Sequence, residues 1–192
     1  LDSGSSYLNY EDPLWSSYVL VIRVVEVEAR TGSSPFLEDI AVLRVTVDDA
    51  NEPPKLAGAK FSVLENSNGA PETIVGIPMI QFSSDIDEYG SQTLWSTLRF
   101  SLDTSCVDCK LNMFDIDHDN GQLYVNRKEI DGLPENITSP AYLEDGVWRG
   151  LDYEYKSIFD IQVWVYDMGS PSLGNDALVE ISLIDVNENP IL

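Results

Sequence analysis

At 192 residues the chain has room for one or two domains with a real core. Apolar residues make up 43% and charged residues 23%, which is ordinary for a globular protein, but 33 Asp and Glu stand against 11 Lys and Arg, a net charge of −22. That balance disfavours nucleic acid and anionic membranes as partners and suits cations. No apolar run approaches the roughly 18 residues of a membrane span, so this segment carries no membrane insertion.

Taken from the start, "YVLVIRVVEVEA" (18–29) and "DIAVLRVTV" (39–47) alternate with a period of two and are rich in Val and Ile, as half-buried strands are. "RTGSSP" (30–35) between them is a turn signal. The second run stops in "DDANEPP" (48–54), a packed group of oxygen donors. "FSVLEN" (61–66) is the next strand and carries Glu65 near its end. "SDIDEYGSQ" (84–92) comes next as a loop with Asp85 and Asp87. "FDIQVWVYD" (159–167) and "ALVEISLID" (177–185) are further alternating strands, divided by the turn "MGSPSLGND" (168–176). No segment offers a capped apolar stripe of helical period. Many short strands divided by Gly, Pro, Asn and Asp argue for an all-β, antiparallel sandwich.

An internal repeat organises these elements. "LNYED" (8–12) recurs as "LDYEY" (151–155), "YVLVIRVVE" (18–26) as "FDIQVWVYD" (159–167), and "LRVTVDDANEPP" (43–54) as "ISLIDVNENP" (181–190). Residues 1–54 thus match the back half of a unit whose complete copy is 55–192. A back half of two or three strands leaves an apolar face uncovered. The expectation is that a front half lies upstream in the native protein.

Cys106 and Cys109 in "CVDC", with His118 as the single histidine, are too few ligands for zinc. A local disulfide in an oxidising compartment is the preferred reading, and two free thiols the bland one. "NIT" at 136–138 is an N-glycosylation acceptor at Asn136, in a polar loop between Pro134 and Pro140.

The acids fall at strand ends. Glu65, Asp85, Asp87, Asp152, Glu154, Asp167, Asp185, Asn187 and Glu188 are spread over five motifs. In an extended Asp-x-Asp both side chains point the same way. Calcium takes six to eight oxygens from carboxylates, amide and backbone carbonyls. Magnesium wants fewer protein ligands, and softer metals want His or Cys, absent from these motifs. One such motif alone is better read as an Asx turn; five in strand-like order are not. A carboxylate pair for glycoside hydrolysis finds no marked cleft, and a single His offers no Ser–His–Asp set. The chain is not read as an enzyme.

On these residues the sequence resembles the cadherin extracellular repeat along 59–190. "FSVLEN" looks like that family's first-strand "EN" segment. "DIDEYGSQTLWSTLRFSL" is similar to DxDxGxNxxLxYSL, and "FDIDHDNGQLYV" to FxIDxxTGxIxV. "LDYE" is similar to LDRE, "VYDMGSPSL" to AxDxGxPxLS, and "DVNENP" to DxNDNxP. The resemblance implies a Greek-key sandwich of cadherin or immunoglobulin-like type in tandem repeats, with Ca2+ at each junction. It implies one junction from Glu11, Asp49, Asn51 and Glu52 with Asp85, Asp87 and Asp167. A second set, Glu65, Asp152, Glu154, Asp185, Asn187 and Glu188, would serve a following repeat. The chain departs from the family in four places. Asn9 stands where the LDRE Asp would be, Glu52 and Glu188 replace the linker Asp, and Pro53 replaces the second linker Asn. The stretch 126–150 is longer than the family's and reads as an inserted loop, in which Trp148 is expected to pack.

The resemblance further implies an extracellular, cell-surface segment of a longer protein. Adjacent repeats of the same chain are its first partners, and Ca2+ rigidifies the junctions for homophilic or heterophilic cell adhesion. The alternative is a structural repeat of an extracellular filament or surface coat with no adhesive role.

Overall fold

A computed structural model describes residues 8–26, 37–65, 73–89, 94–111, 113–126, 141–144 and 147–187. The chain divides into two compact units, Leu1–Ala50 and Asn51–Leu192.

The first unit is a hairpin. β1 (Ser17–Val25) and β2 (Glu38–Thr46) pair antiparallel in unbroken register from Ser17 opposite Thr46 to Val25 opposite Glu38. Val21 faces Val42 and Leu20 faces Leu43, as β-branched and aliphatic alternation favours. Yet Val21 is 66% and Val42 62% exposed, and Val19, Val24 and Ile40 are exposed as well. The Arg23–Glu38 ion pair is exposed too and adds little.

The second unit is a two-layer sandwich. Its strands are β3 (Lys55–Leu56), β4 (Ala59–Leu64), β5 (Ile74–Val75), β6 (Ser83–Ser84), β7 (Arg99–Leu102), β8 (Phe114–Ile116) and β9 (Leu123–Val125). They are followed by β10 (Ala141–Glu144), β11 (Val147–Leu151), β12 (Ile158–Tyr166) and β13 (Gly174–Ile184). One layer is ordered β4-β13-β12-β7 and the facing one β5-β9-β8, with β3-β6 and β10-β11 as small pairs. Among the described residues, one-turn 3-10 helices at Met79–Phe82, Ile86–Tyr89 and Cys109–Leu111 serve as connectors.

Alternation does what the sequence asks of it. On β12, Phe159, Ile161, Val163 and Val165 are wholly buried while Trp164 between them is half-exposed. Val179, Ile181 and Leu183 of β13 are buried in the same alternating way. They meet Val75, Phe114, Ile116, Leu123 and Val125 of the other layer, with Phe100, Met79, Met113 and Leu151 filling the ends. Phe114 and Phe159 meet edge to face at 5.2 Å between ring centroids. Gly121 has φ +73°, and a Cβ there would lie 2.8 Å from the Met79 Cβ and 2.9 Å from the Phe100 ring.

The sandwich is antiparallel as expected in β12–β13, β12–β7, β5–β9 and β8–β9, with one parallel pairing, β13 with β4, Val179 opposite Ala59 through Ile184 opposite Leu64. The unit's early edge strand closes on its last strand, so nearly the whole unit forms the connection; a tight hairpin would allow only antiparallel neighbours. The long stretch 126–150 is not merely a loop, since β10 and β11 form an antiparallel hairpin with an irregular register between Ala141 and Leu143. "AYLE" and "VWRGL" supply the aromatic and β-branched residues for it. Asn136 lies outside the described residues, as do residues 127–140 around it and the side chain of Trp148.

Candidate metal centres

Two groups of acids of the second unit sit at its two ends. At the β6 end, Asp85 directly follows the short strand and Asp87 sits in the 3-10 turn Ile86–Tyr89. The Asp87 N–H donates to Asp85 Oδ1 at 3.0 Å, which closes an Asx turn. Asp87 Oδ2 accepts the Glu52 N–H at 3.0 Å. Glu52 and Asp87 each bring a carboxylate oxygen within 4.8 Å of the other's. Asp167, fully buried just past the end of β12, is the hub. Its Oδ1 accepts the Gly169 N–H at 2.8 Å and the Leu173 N–H at 3.1 Å, and its Oδ2 accepts Asn51 Nδ2 at 2.9 Å. Asn51 Nδ2 also donates to Pro171 O at 3.1 Å. A Cβ on Gly169 would lie 2.7 Å from Asn51 Nδ2 and 2.9 Å from Trp95 Cδ1, so only glycine leaves room for the amide.

What these hydrogen bonds leave over is informative. Asn51 Oδ1, Asp85 Oδ2 and Asp87 Oδ1 are buried with no hydrogen-bond partner. A buried acceptor left without a partner costs about 1–3 kcal/mol, and more for a charged one. Burial pushes the Asp85 carboxyl above its ordinary range, and the nearby Asp87 and Asp167 charges push it further, against the Asp87 N–H bond. Two carboxylates and an amide oxygen of this kind fit a hard divalent cation. They offer no nitrogen or sulfur to a softer one.

At the opposite end, Glu65, Asp152 and Glu154 bring one carboxylate oxygen each within 4.8 Å of one another. Glu65 directly follows β4 and is 2% exposed. Its Oε2 accepts the Tyr153 N–H at 2.8 Å, and its Oε1 accepts the Val186 N–H. One buried carboxylate therefore ties the "LDYE" turn to the segment after β13, and each oxygen keeps acceptor capacity for an ion. Asp152 Oδ1 accepts the Tyr155 N–H at 2.9 Å. Asp185 and Asn187 are exposed, and Asp185 does not join the carboxylate group. Glu188 lies outside the described residues.

In the first unit, Glu11 and Asp49 bring carboxylate oxygens within 4.8 Å of each other. Cys106 and Cys109 are joined by a disulfide, with Cα atoms 5.2 Å apart. Gly169 is the glycine of the "VYDMGSPSL" motif, whereas no pattern in the sequence singles out Trp95 or Asp108, although each shapes its surroundings.

No family model matches the chain. Among curated proteins it is similar to human protocadherin-23, 27% identical over 186 residues, which is 97% of this chain and 5% of that protein. It is also similar to the Drosophila melanogaster Fat-like cadherin-related tumor suppressor homolog, 28% identical over 165 residues, 86% of this chain and 3% of that protein. The chain thus spans only a small fraction of these relatives. Among solved structures it resembles mouse cadherin-23 EC22-24 at TM-score 0.54 and 21% identity, covering 93% of this chain and 45% of that one. It resembles protocadherin gamma B2 extracellular cadherin domains 1-5 at TM-score 0.57 and 18% identity, covering 94% and 28%.

The fold is the β-sandwich of the cadherin extracellular repeat, and the sequence relatives over most of the chain are cadherins and protocadherins. By likeness to these cadherin extracellular domains the chain is an extracellular or cell-surface segment. Among the described residues no helix is long and apolar enough to cross a membrane.

Proposed function

We propose that the chain is a calcium-binding segment of a longer extracellular protein, in which ion-filled linkers stiffen successive repeats for homophilic or heterophilic adhesion. The observation that carries this reading is the trio of buried, unpartnered acceptors Asn51 Oδ1, Asp85 Oδ2 and Asp87 Oδ1. Bound calcium supplies the positive charge that facing carboxylates lack. Asp167 holds Asn51, Asp87 holds the Glu52 backbone, and both act before any ion arrives. The same reading assigns Glu11, Asp49 and Glu52 as ligands. It gives Glu65, Asp152, Glu154, Asp185, Asn187 and Glu188 to a site completed by a following repeat. Residues 1–54 are then the back half of one repeat and 55–192 a complete one; Asn136 is its glycan acceptor.

The test is a thermal melt in millimolar Ca2+ and in EDTA. The expected result is a clear rise in Tm with calcium and resistance of the 48–54 linker to protease. A melt and a cleavage pattern indifferent to calcium would sink the reading.

A further inference from the structure

We propose that the loop of residues 103–111, which carries the Cys106–Cys109 disulfide, is a positioning device for the Asp152 carboxylate, acting through Asp108 and Lys156. This rests on the calcium reading of that carboxylate group. The loop starts where β7 leaves β12. Those strands pair from Val163 opposite Leu102 to Tyr166 opposite Arg99, and the Asp103 N–H still reaches Gln162 O at 2.9 Å. Beyond that point the edge of β12 would be bare. The loop covers it instead. Cys106 Sγ rests 3.4 Å from Asp160 O, and Asp108 Oδ2 accepts the Asp160 N–H at 2.7 Å.

Asp108 lies between the two half-cystines and is 6% exposed. Its other oxygen, Oδ1, takes the Lys156 ammonium at 2.6 Å. The same ammonium lies 5.3 Å from the centre of the Phe159 ring, a favourable place for a cation. Lys156 in turn closes the ligand turn, since its N–H donates to Asp152 O at 3.0 Å. Tyr155 N–H on Asp152 Oδ1 completes that turn. Asp108 is the buried partner of this half-buried pair, so loss of Lys156 would leave its charge unpaired in a poorly solvated place. The covalent closure between Cys106 and Cys109 confines Asp108 to the position that Lys156 and Asp160 require. Neither Asp108 nor Lys156 belongs to the carboxylate group itself.

Residues that orient metal ligands from behind typically change affinity 10–100-fold when removed. The experiment uses the whole chain and two variants, Asp108→Asn and the double Cys106→Ser/Cys109→Ser. Amide exchange is read residue by residue in EDTA, and calcium titrations are followed at the Tyr153 and Val186 amides for one set and at the Asp87 amide for the other. The expected result is exchange at least about tenfold faster at the Tyr155 and Lys156 amides without calcium. Affinity at the Glu65 set should fall about tenfold while the Asp85/Asp87 set is unchanged. Unchanged exchange overturns the proposal, and so does an equal loss at both sets, which would mean general destabilisation. If the parent responds to calcium at the Glu65 set and the variants respond equally, the positioning role alone is wrong. If the parent shows no calcium response there, the calcium reading of that set is wrong. Should the double serine variant fail to fold, Asp108→Asn carries the same comparison.

Discussion

Asp87 uses its two oxygens differently. Oδ2 is tied to the Glu52 N–H, and Oδ1 is buried without a partner. Asp87→Asn should therefore keep most of the local geometry yet remove a ligand charge, and calorimetry should show calcium affinity at this end reduced by at least about tenfold. Asp185→Ala should leave that affinity unchanged, because Asp185 lies after β13 at the other end of the unit. Gly169→Ala tests the same cradle sterically. An added methyl would sit 2.7 Å from Asn51 Nδ2, so Asn51 must move off Asp167 and carry its free Oδ1 with it. Calcium affinity is expected to drop about tenfold while the apo protein stays folded. Equal calcium affinity in Gly169→Ala and the parent would show that Asn51 is not a ligand.

At the scale of elements, the two β-hairpins built from matching sequence have opposite environments. β12 and β13 bury Phe159, Ile161, Val163, Val179 and Ile181 completely, whereas β1 and β2 expose Val19, Val21, Val24 and Val42. Ile161→Ala should cost about 2–5 kcal/mol in urea unfolding of the second unit. Val42→Thr should change that transition by less than about 0.5 kcal/mol. A large effect of Val42→Thr would mean that the first hairpin supports the second unit's core. The alternation of β12 and β13 was plain in the sequence because one face is fully buried and the other wet. The β10–β11 hairpin was hidden, since its short runs flank "EDG" and come after a Pro-rich polar stretch. The parallel β4–β13 pairing was hidden for another reason: strand patterning sets which face is buried, not which edge a neighbour takes. Glu65, Asp152 and Glu154 were legible as a set through their motifs. Asp108 was not, because "CVDC" draws attention to its thiols and burial of the acid between them depends on Lys156 and the β12 edge.

For the whole molecule, the net charge of −22 means that two quite different effects of salt have to be separated. Self-repulsion of a strongly charged chain is relieved by any electrolyte through screening, with a Debye length of about 8 Å near physiological ionic strength. Specific binding instead stabilises by mass action, in proportion to the logarithm of ion concentration over its dissociation constant. Sodium chloride added in EDTA should therefore raise Tm gradually. Calcium should raise it at millimolar concentration, far below what screening needs. Magnesium at the same concentration should do much less, because it demands tight octahedral geometry and keeps its water, whereas calcium takes carboxylates and amide oxygens in a larger, flexible shell. Asp87→Asn should remove much of the calcium response and leave the sodium response intact. If magnesium and calcium act equally, and both act only as sodium does at matched ionic strength, the acidic ends are a solvated surface and not ion sites.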